Sequence, residues 1–241
     1  VSTSFSALPA AVVDKYRSVE VASFSGLFPE IHRAYITFDN ELVLWNYAQP
    51  DDWRRFEGLD QPIRAVGLVV PRPDVFEAFV KYLLVLATPV QVVVLAVVFD
   101  ENNPKLPLNL LPTDITYPTD SVGMLHIAGS TTGRIFMAGE DGCLYELVYN
   151  RPSGFWESTW DRRTKCRKVN HSASFVRMAL QTLVGTRYLS PGLPLINIAV
   201  DHNRNLLYTL SQDGEIKGYS LGASGDALKE FGVMACVVVS S

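Results

Sequence analysis

Turn signals recur along this chain at a spacing that restricts the folds open to it. Asn40, Pro89, Asp141 and Asp213 each mark a turn between two apolar and aromatic runs, at intervals of 49, 52 and 72 residues. Asp-Asn, Thr-Pro and Asp-Gly pairs in this setting indicate β-hairpins. A unit of about 50 residues built on a hairpin is typical of the four-stranded blade of a β-propeller. The chain is therefore predicted to be all-β, with about four blades.

Further strands complete the predicted blades. They are placed at Pro62 to Val70, Gly123 to Ala128, Leu195 to Val200 and Phe231 to Val239. Trp45, Tyr145 and Tyr219 follow their turns at equivalent places, and we expect these three side chains to pack between blades. Closing a propeller usually takes more than four blades, so we expect part of a larger ring.

Two segments between the turns need separate interpretation. Tyr82 to Phe99 is a run of 18 residues in which all but Thr88, Pro89 and Gln91 are apolar, the length of a transmembrane helix. Its many β-branched residues and the central Pro89 favour two buried strands instead. Asp100 to Pro118 carries four prolines, which exclude a helix, and is predicted to be an irregular excursion between blades.

Composition excludes several classes of protein. Of 241 residues, 48% are hydrophobic and 19% charged, which excludes overall disorder. The net charge of −4 argues against a nucleic-acid partner. Cys143, Cys166 and Cys236 lack the spacing of a disulfide framework or a zinc site, so a reducing compartment is expected. No charged segment precedes an apolar stretch after Val1, so we expect no secretory signal and a longer parent protein.

Motifs of catalysis are missing from the sequence. There is no glycine-rich phosphate loop, no HExxH and no GxSxG, and the four histidines are scattered at His32, His126, His171 and His202. We therefore expect no enzyme, no cofactor, no metal and no small-molecule substrate.

A basic run, Arg162 to Lys168, allows two interpretations. It could be a nuclear-localisation or phosphate-binding patch, or a solvated loop with a charged edge strand. The second is favoured. Asn170-His171-Ser172 has the form of a glycosylation site, but without a secretory signal it is interpreted as coincidental.

Several longer strings of the sequence resemble one known family. In order along the chain they are Gly26 to Ile31, Asp39 to Trp45, Ala65 to Leu68, Tyr82 to Pro89, Gly133 to Glu146 and Cys166 to Ser172. They resemble the N-terminal β-propeller of the large inner-ring scaffold nucleoporins of the nuclear pore complex. The resemblance spans roughly Leu8 to Leu221.

The resemblance implies a seven-bladed propeller followed by an α-helical solenoid, in a non-enzymatic protein of the nuclear envelope. Residues 1–241 would then be part of a single propeller domain, with the later blades and the solenoid outside this chain. The implied partners are other inner-ring nucleoporins and, peripherally, the pore membrane. Two alternatives stay open: a generic propeller adaptor in another cytosolic or nuclear assembly, and a propeller enzyme with convergent residues at the central channel.

The long interval before Asp213 contains an amphipathic segment, Ser174 to Gly185. At 100° per residue its apolar side chains share one half of a helix, and these candidate membrane-binding residues are Phe175, Val176, Ala179, Leu180, Leu183 and Val184. The other half carries one charge, Arg177, as in lipid-packing sensors, and the resemblance also implies membrane contact through such a loop. The alternative is that the apolar face packs on the propeller.

Overall fold

The computed structural model describes residues 8–16, 22–73, 75–99, 107–150, 165–172 and 192–235. Within these ranges the chain forms one short helix, α1 (Ala10–Tyr16), one 3-10 turn (Pro29–Ile31) and sixteen strands. The strands form four sheets, each with four antiparallel strands in chain order, which we number blades 1 to 4.

Each blade consists of four consecutive strands. Blade 1 contains β1 (Ser25–Phe28), β2 (Arg33–Phe38), β3 (Glu41–Asn46) and β4 (Gln49–Phe56). Blade 2 contains β5 (Ala65–Val69), β6 (Val80–Ala87), β7 (Gln91–Val98) and β8 (Asn109–Pro118). Blade 3 contains β9 (Met124–Gly129), β10 (Ile135–Gly139), β11 (Leu144–Asn150) and β12 (Lys165–Asn170). Blade 4 contains β13 (Leu195–Asp201), β14 (Leu206–Ser211), β15 (Glu215–Ser220) and β16 (Lys229–Ala235).

The predicted turns join the second and third strands of their blades. Asp39, Gly142 and Gly214 have φ values of 53°, 80° and 88°, the left-handed conformation that tight hairpin turns require. At the Thr88-Pro89 turn, the Thr88 hydroxyl donates to the Gln91 carbonyl oxygen at 3.0 Å. All four predicted hairpins are confirmed.

Apolar clusters fill the spaces between consecutive blades. Leu44 of blade 1 packs in one cluster with Leu84 and Leu86 of blade 2. The alternate residues of β6, such as Leu83 and Val85, share a second cluster with β10 and β11 of blade 3. A third cluster joins blades 3 and 4. Because neighbouring sheets bury each other's faces, the chain is a partial β-propeller, as predicted.

The three equivalent aromatic residues are all buried, but they have different partners. Tyr145 packs in the cluster between blades 2 and 3, and Tyr219 in the cluster between blades 3 and 4. Trp45 lies on the face of blade 1 that is turned away from blade 2, where it shares a cluster with Val12 of α1. The expectation for Trp45 was therefore wrong, because within the described residues helix α1 covers the position that a preceding sheet takes in the other blades.

The long apolar run Tyr82 to Phe99 forms β6 and β7 with their turn, so the prediction of two buried strands is confirmed. Its side chains alternate between the clusters shared with blade 1 and with blade 3. Among the described residues, no helix has the length and apolar character needed to span a membrane.

The prediction of an irregular excursion over Asp100 to Pro118 was wrong in its second half. Residues 100–106 lie outside the described residues, but Asn109–Pro118 is strand β8, the outer edge of blade 2. Pro112 pairs with Leu95 beside a shift of register. An edge strand bonds only one neighbour, so a residue without an N–H is tolerated there.

Candidate functional site

The predicted membrane-binding residues lie outside the described residues: Phe175, Val176, Ala179, Leu180, Leu183 and Val184. The described chain stops at Ser172 and resumes at Gly192, so the structure gives both ends of the connection 173–191. Both ends lie against one element, the β10–β11 hairpin of blade 3.

The turn of that hairpin is held by Asp141. Its carboxylate accepts a hydrogen bond from the Tyr145 hydroxyl at 2.6 Å and another from the Cys143 backbone N–H at 3.1 Å. Burial and the neighbouring Asp141 carboxylate raise the pKa of Tyr145, so its hydroxyl keeps the proton that it donates. The turn is therefore fixed by side-chain as well as backbone contacts.

The departing end of the connection contacts the first residues of β11. The His171 backbone N–H donates to the Leu144 carbonyl oxygen at 2.8 Å, and the Leu144 N–H donates to the Ser172 hydroxyl at 2.9 Å. The Ser172 N–H donates to the side-chain oxygen of Asn170 at 2.8 Å. These bonds extend the pairing of β12 with β11 by one further residue of each strand, His171 and Leu144.

The returning end of the connection passes over the turn itself. A Cβ atom on Gly142 would lie 2.6 Å from the Leu193 carbonyl oxygen and 3.0 Å from the Gly192 Cα atom. With its φ of 80°, this position needs glycine for both conformation and space. The Gln212 N–H then donates to the Pro194 carbonyl oxygen at 2.9 Å, which joins the chain to blade 4.

Next to the departing end lies a cluster of the buried Arg134 and Glu146 with the partly buried His171. Arg134 Nε and one terminal nitrogen donate to the two Glu146 oxygens at 2.8 and 2.7 Å. His171 Nε2 lies 2.8 Å from Glu146 Oε2, and since a carboxylate only accepts, the imidazole donates. Burial would raise the pKa of Glu146, but the hydrogen bonds from Arg134 and His171 and the positive charge of Arg134 lower it to about 2.

Arg134 also crosses from blade 3 to blade 4. Its remaining terminal nitrogen donates to the carbonyl oxygens of Gly225 and Ala227, at 3.1 and 2.6 Å, in the loop between β15 and β16. The guanidinium lies over the Phe136 ring, 4.7 Å from its centre. The Glu146 carboxylate therefore neutralises Arg134, which joins blades 3 and 4. The same carboxylate also bonds His171, near the departing end of the connection.

This cluster was not predicted from the sequence, although strand alternation carries a signal for it. Arg134 directly precedes β10 and stands two residues before Phe136, which the register pairs with Glu146. Opposite charges at diagonal positions on the buried face of a hairpin predict a buried ion pair. His171 could not be added in that way, because its approach depends on how β12 pairs with β11.

The other three histidines do not join this cluster. His32 bonds the Tyr47 hydroxyl at 3.1 Å, burial lowers the pKa of His126, and His202 is exposed. Among the described residues, no three His, Cys, Asp or Glu side chains are close enough to hold a metal ion. Cys143 and Cys166 are free thiols, and Cys236 lies outside the described residues.

The basic run forms an edge strand over its described part, as favoured from the sequence. Lys165–Asn170 is β12, the outermost strand of blade 3. Lys168 Nζ lies 2.6 Å from an Asp120 carboxylate oxygen and donates to the Thr119 carbonyl oxygen at 2.7 Å. Its charge is thus used within the fold, whereas Arg162 and Arg163 lie outside the described residues.

Known proteins resemble this chain over nearly its whole length. Nuclear pore complex protein Nup154 of Drosophila melanogaster is 36% identical over 228 residues, covering 94% of this chain and 16% of that protein. Nucleoporin NUP170 of Saccharomyces cerevisiae is 27% identical over 237 residues, covering 88% of this chain and 15% of that protein. The chain therefore spans about a sixth of the length of these relatives.

Solved structures and a family model give the same assignment. The crystal structure of the Chaetomium thermophilum Nup170 NTD–Nup53 complex matches with a TM-score of 0.76 at 30% identity, over 95% of this chain and 30% of that one. The family model described as "Nup133 N terminal like" matches residues 1–233. These relatives are nucleoporins, not enzymes, in agreement with the resemblance found in the sequence strings. The chain belongs to the Nup133 N-terminal-like nucleoporin family.

Proposed function

We propose that this chain is a structural part of the nuclear pore complex, an arc of propeller blades that scaffolds nucleoporin assembly in the inner ring and so supports nucleocytoplasmic transport. The observation that carries the proposal is the 36% identity to Nup154 over 94% of the chain. Because the chain spans a small share of its relatives, the proposed role concerns this region of a scaffold. The alternative is a propeller adaptor in another cytosolic or nuclear assembly.

The partner class in this proposal is another nucleoporin. Support comes from the related Nup170 N-terminal domain, whose crystal structure is that of a complex with Nup53. A rigid stack of blades with exposed loops can present such a surface without a cofactor or a bound small molecule.

Peripheral contact with the pore membrane is the second part of the proposal. It rests on the amphipathic pattern of Ser174 to Gly185, whose polar face carries only Arg177 as a charge. Such a segment binds through burial of apolar side chains and prefers curved, loosely packed lipid. A helix of about 12 residues, ~18 Å long, binds weakly alone and needs many copies in a ring.

Localisation tests the scaffold role. We expect the tagged protein, expressed in its own cells, to form a punctate ring at the nuclear rim. Diffuse cytosolic fluorescence would contradict the proposal and favour the adaptor.

Flotation with liposomes tests the membrane contact. We expect the chain to float with small neutral vesicles more than with large ones, and the Leu180→Asp, Leu183→Asp double variant to lose this binding. Gln181→Asp, which places a charge on the polar face, is the matched control and should keep it. If the wild-type chain ignores vesicles of both sizes, the apolar face packs on the propeller instead.

A further inference from the structure

A cavity of about 340 Å³ lies where loops of blades 2, 3 and 4 meet. Blade 2 contributes Arg72 and Pro73 from the loop between β5 and β6, and blade 3 contributes Thr132 and Asn150. Blade 4 contributes Asp226 from the loop between β15 and β16. Ligand pockets span roughly 300–1,000 Å³, so this cavity has room for one or two side chains rather than for a large cofactor.

The walls of this cavity are fixed by close backbone packing. A Cβ atom on Gly133 would lie 2.4 Å from the Arg72 backbone nitrogen, and one on Gly225 would lie 2.6 Å from Thr132 Cγ2. Both glycines have a positive φ, 78° and 79°. Each position therefore needs glycine for conformation and for space, and the three loops interlock at their closest approach.

Hydrogen bonds of both blade junctions hold the same loops. The Tyr149 hydroxyl donates to the Gly133 carbonyl oxygen and accepts from the Arg72 backbone N–H. The buried Arg134 guanidinium donates to the Ala227 carbonyl oxygen, next to Asp226 in sequence. The cavity is thus formed before any ligand enters, which lowers the entropy cost of binding.

The cavity is lined by one charge of each sign. Arg72 donates a terminal N–H to the Asn150 side-chain oxygen at 2.7 Å, and this neutral acceptor leaves the guanidinium charge uncompensated. Asp226 is exposed. Among the described residues, neither Arg72 nor Asp226 takes part in an ion pair. Two opposite charges that line one cavity without pairing make a dipolar site.

We propose that this cavity binds a turn of a partner polypeptide, which presents a basic side chain to Asp226 and an acidic side chain to Arg72. A compact anion such as phosphate would meet the Asp226 carboxylate as well as the cation. A purely apolar ligand would remove water from both charges without replacing it. Pro73 and Val75 add an apolar wall for the aliphatic stem of a lysine or arginine.

The choice of a polypeptide rests on the proposed function, in which the partner is another nucleoporin. Binding of a short peptide in solution does not depend on where the protein is localised. A chain that binds the peptide but is absent from the nuclear rim would keep this site and lose the proposed scaffold role.

The experiment titrates the 241-residue chain with the peptide acetyl-Gly-Arg-Glu-Gly-amide and follows the backbone amide signals of Thr132 and Gly225 by NMR. Two further peptides carry Gln in place of the Arg or of the Glu. The chain variants are Asp226→Asn and Arg72→Gln. The control is Asp60→Asn, which removes an exposed carboxylate in the linker from blade 1 to blade 2.

We expect millimolar affinity for the charged peptide and a loss of about threefold when either peptide charge is removed. Asp226→Asn should cause the same loss, and in that variant the peptide with Gln for Arg should bind no worse than the parent peptide. Arg72→Gln should behave in the same way towards the peptide with Gln for Glu, and Asp60→Asn should match the wild type.

Equal affinity of the wild-type chain for all three peptides, or no saturable shift with any of them, would overturn the dipolar site. Equal losses in Asp226→Asn and Asp60→Asn would overturn the role of Asp226. The peptide series on the wild-type chain needs no substitution, so it decides the question even if a chain variant unfolds.

Discussion

The junction between blades 2 and 3 and the junction between blades 3 and 4 are fastened by different chemistry. At the first, the fully buried Tyr149 hydroxyl donates to the Gly133 carbonyl oxygen at 2.8 Å and accepts from the Arg72 backbone N–H at 2.9 Å. At the second, the Arg134 guanidinium, neutralised by Glu146, donates to two carbonyl oxygens of blade 4.

The Tyr149 hydroxyl and the Arg134 guanidinium differ in whether they need a counter-charge. Burial raises the pKa of Tyr149 to about 12, so its hydroxyl stays neutral and needs no counter-charge. A buried guanidinium needs a carboxylate as its counter-charge. Removal of either side chain leaves the other as an unpaired buried charge, which lowers the free energy of unfolding. The neutral junction should therefore tolerate substitution better than the ionic one.

Loss of Arg134 should produce the largest effect. Arg134→Met leaves the buried Glu146 carboxylate with only His171 and removes both bonds to blade 4, so the free energy of unfolding should fall by about 3–5 kcal/mol. Urea unfolding at neutral pH measures it. Arg204→Met is the control, because its pair with Asp201 is exposed and should change stability by less than about 0.5 kcal/mol. Equal losses for the two variants would contradict the ionic junction.

The stabilisation by Glu146 should depend on pH. Its pKa is lowered from the ordinary 4.5 to about 2 in the folded chain, so its contribution is complete above about pH 4.5 and is lost as the pH falls towards 2. Glu146→Gln lacks this titration. The difference in urea midpoint between wild type and variant should therefore shrink across that window, and a difference that is constant with pH would count against the assignment.

Tyr149→Phe should have an intermediate effect. It leaves the Arg72 N–H and the Gly133 carbonyl without their shared partner, which costs about 1–3 kcal/mol of unfolding free energy. The loss should not vary between pH 2 and pH 5, unlike that of Glu146 variants. Tyr16→Phe, at an exposed position of α1, is the control. If Tyr149→Phe were as stable as this control, the hydrogen bonds of the Tyr149 hydroxyl would not stabilise the junction between blades 2 and 3.

The smallest effect is expected at Asp120, in the linker from blade 2 to blade 3. Its carboxylate is 62% exposed, and Lys168 keeps its bond to the Thr119 carbonyl without it. Asp120→Asn should therefore lower the unfolding free energy by less than about 1 kcal/mol, and the loss should vanish in 1 M salt. A loss above about 1 kcal/mol that 1 M salt abolishes would show that charge also fastens the first junction.

The inner hairpins of the fold were predictable from sequence because each signal is local. A turn residue with positive φ, such as Asp39 or Gly142, lies between two apolar strands that are buried on both faces. Two outer strands, β4 and β8, were not predicted. β4 is rich in charged residues and β8 contains two prolines, because an edge strand faces solvent and bonds one neighbour. The charged strand β12, by contrast, was favoured from the sequence as an edge strand.

The candidate site was predictable only in part. The membrane-binding role of Ser174 to Gly185 rests on helical periodicity alone and stays a prediction. The Arg134–Glu146 pair follows from strand alternation once the Asp141-Gly142 turn sets the register. The bonds from Arg134 to Gly225 and Ala227 join residues more than 90 positions apart. Such contacts depend on how whole blades stack, which no local pattern records.

A double-mutant cycle on Arg134 and Glu146 measures directly whether this ion pair stabilises the junction between blades 3 and 4. Urea unfolding of the wild type, Arg134→Met, Glu146→Leu and the double variant gives the coupling free energy between the two side chains. For a buried pair bonded through both carboxylate oxygens we predict a coupling of about 2–3 kcal/mol, with the double variant more stable than Arg134→Met. A coupling below about 0.5 kcal/mol, the level of an exposed pair, would contradict the claim that an ionic cluster fastens blade 3 to blade 4.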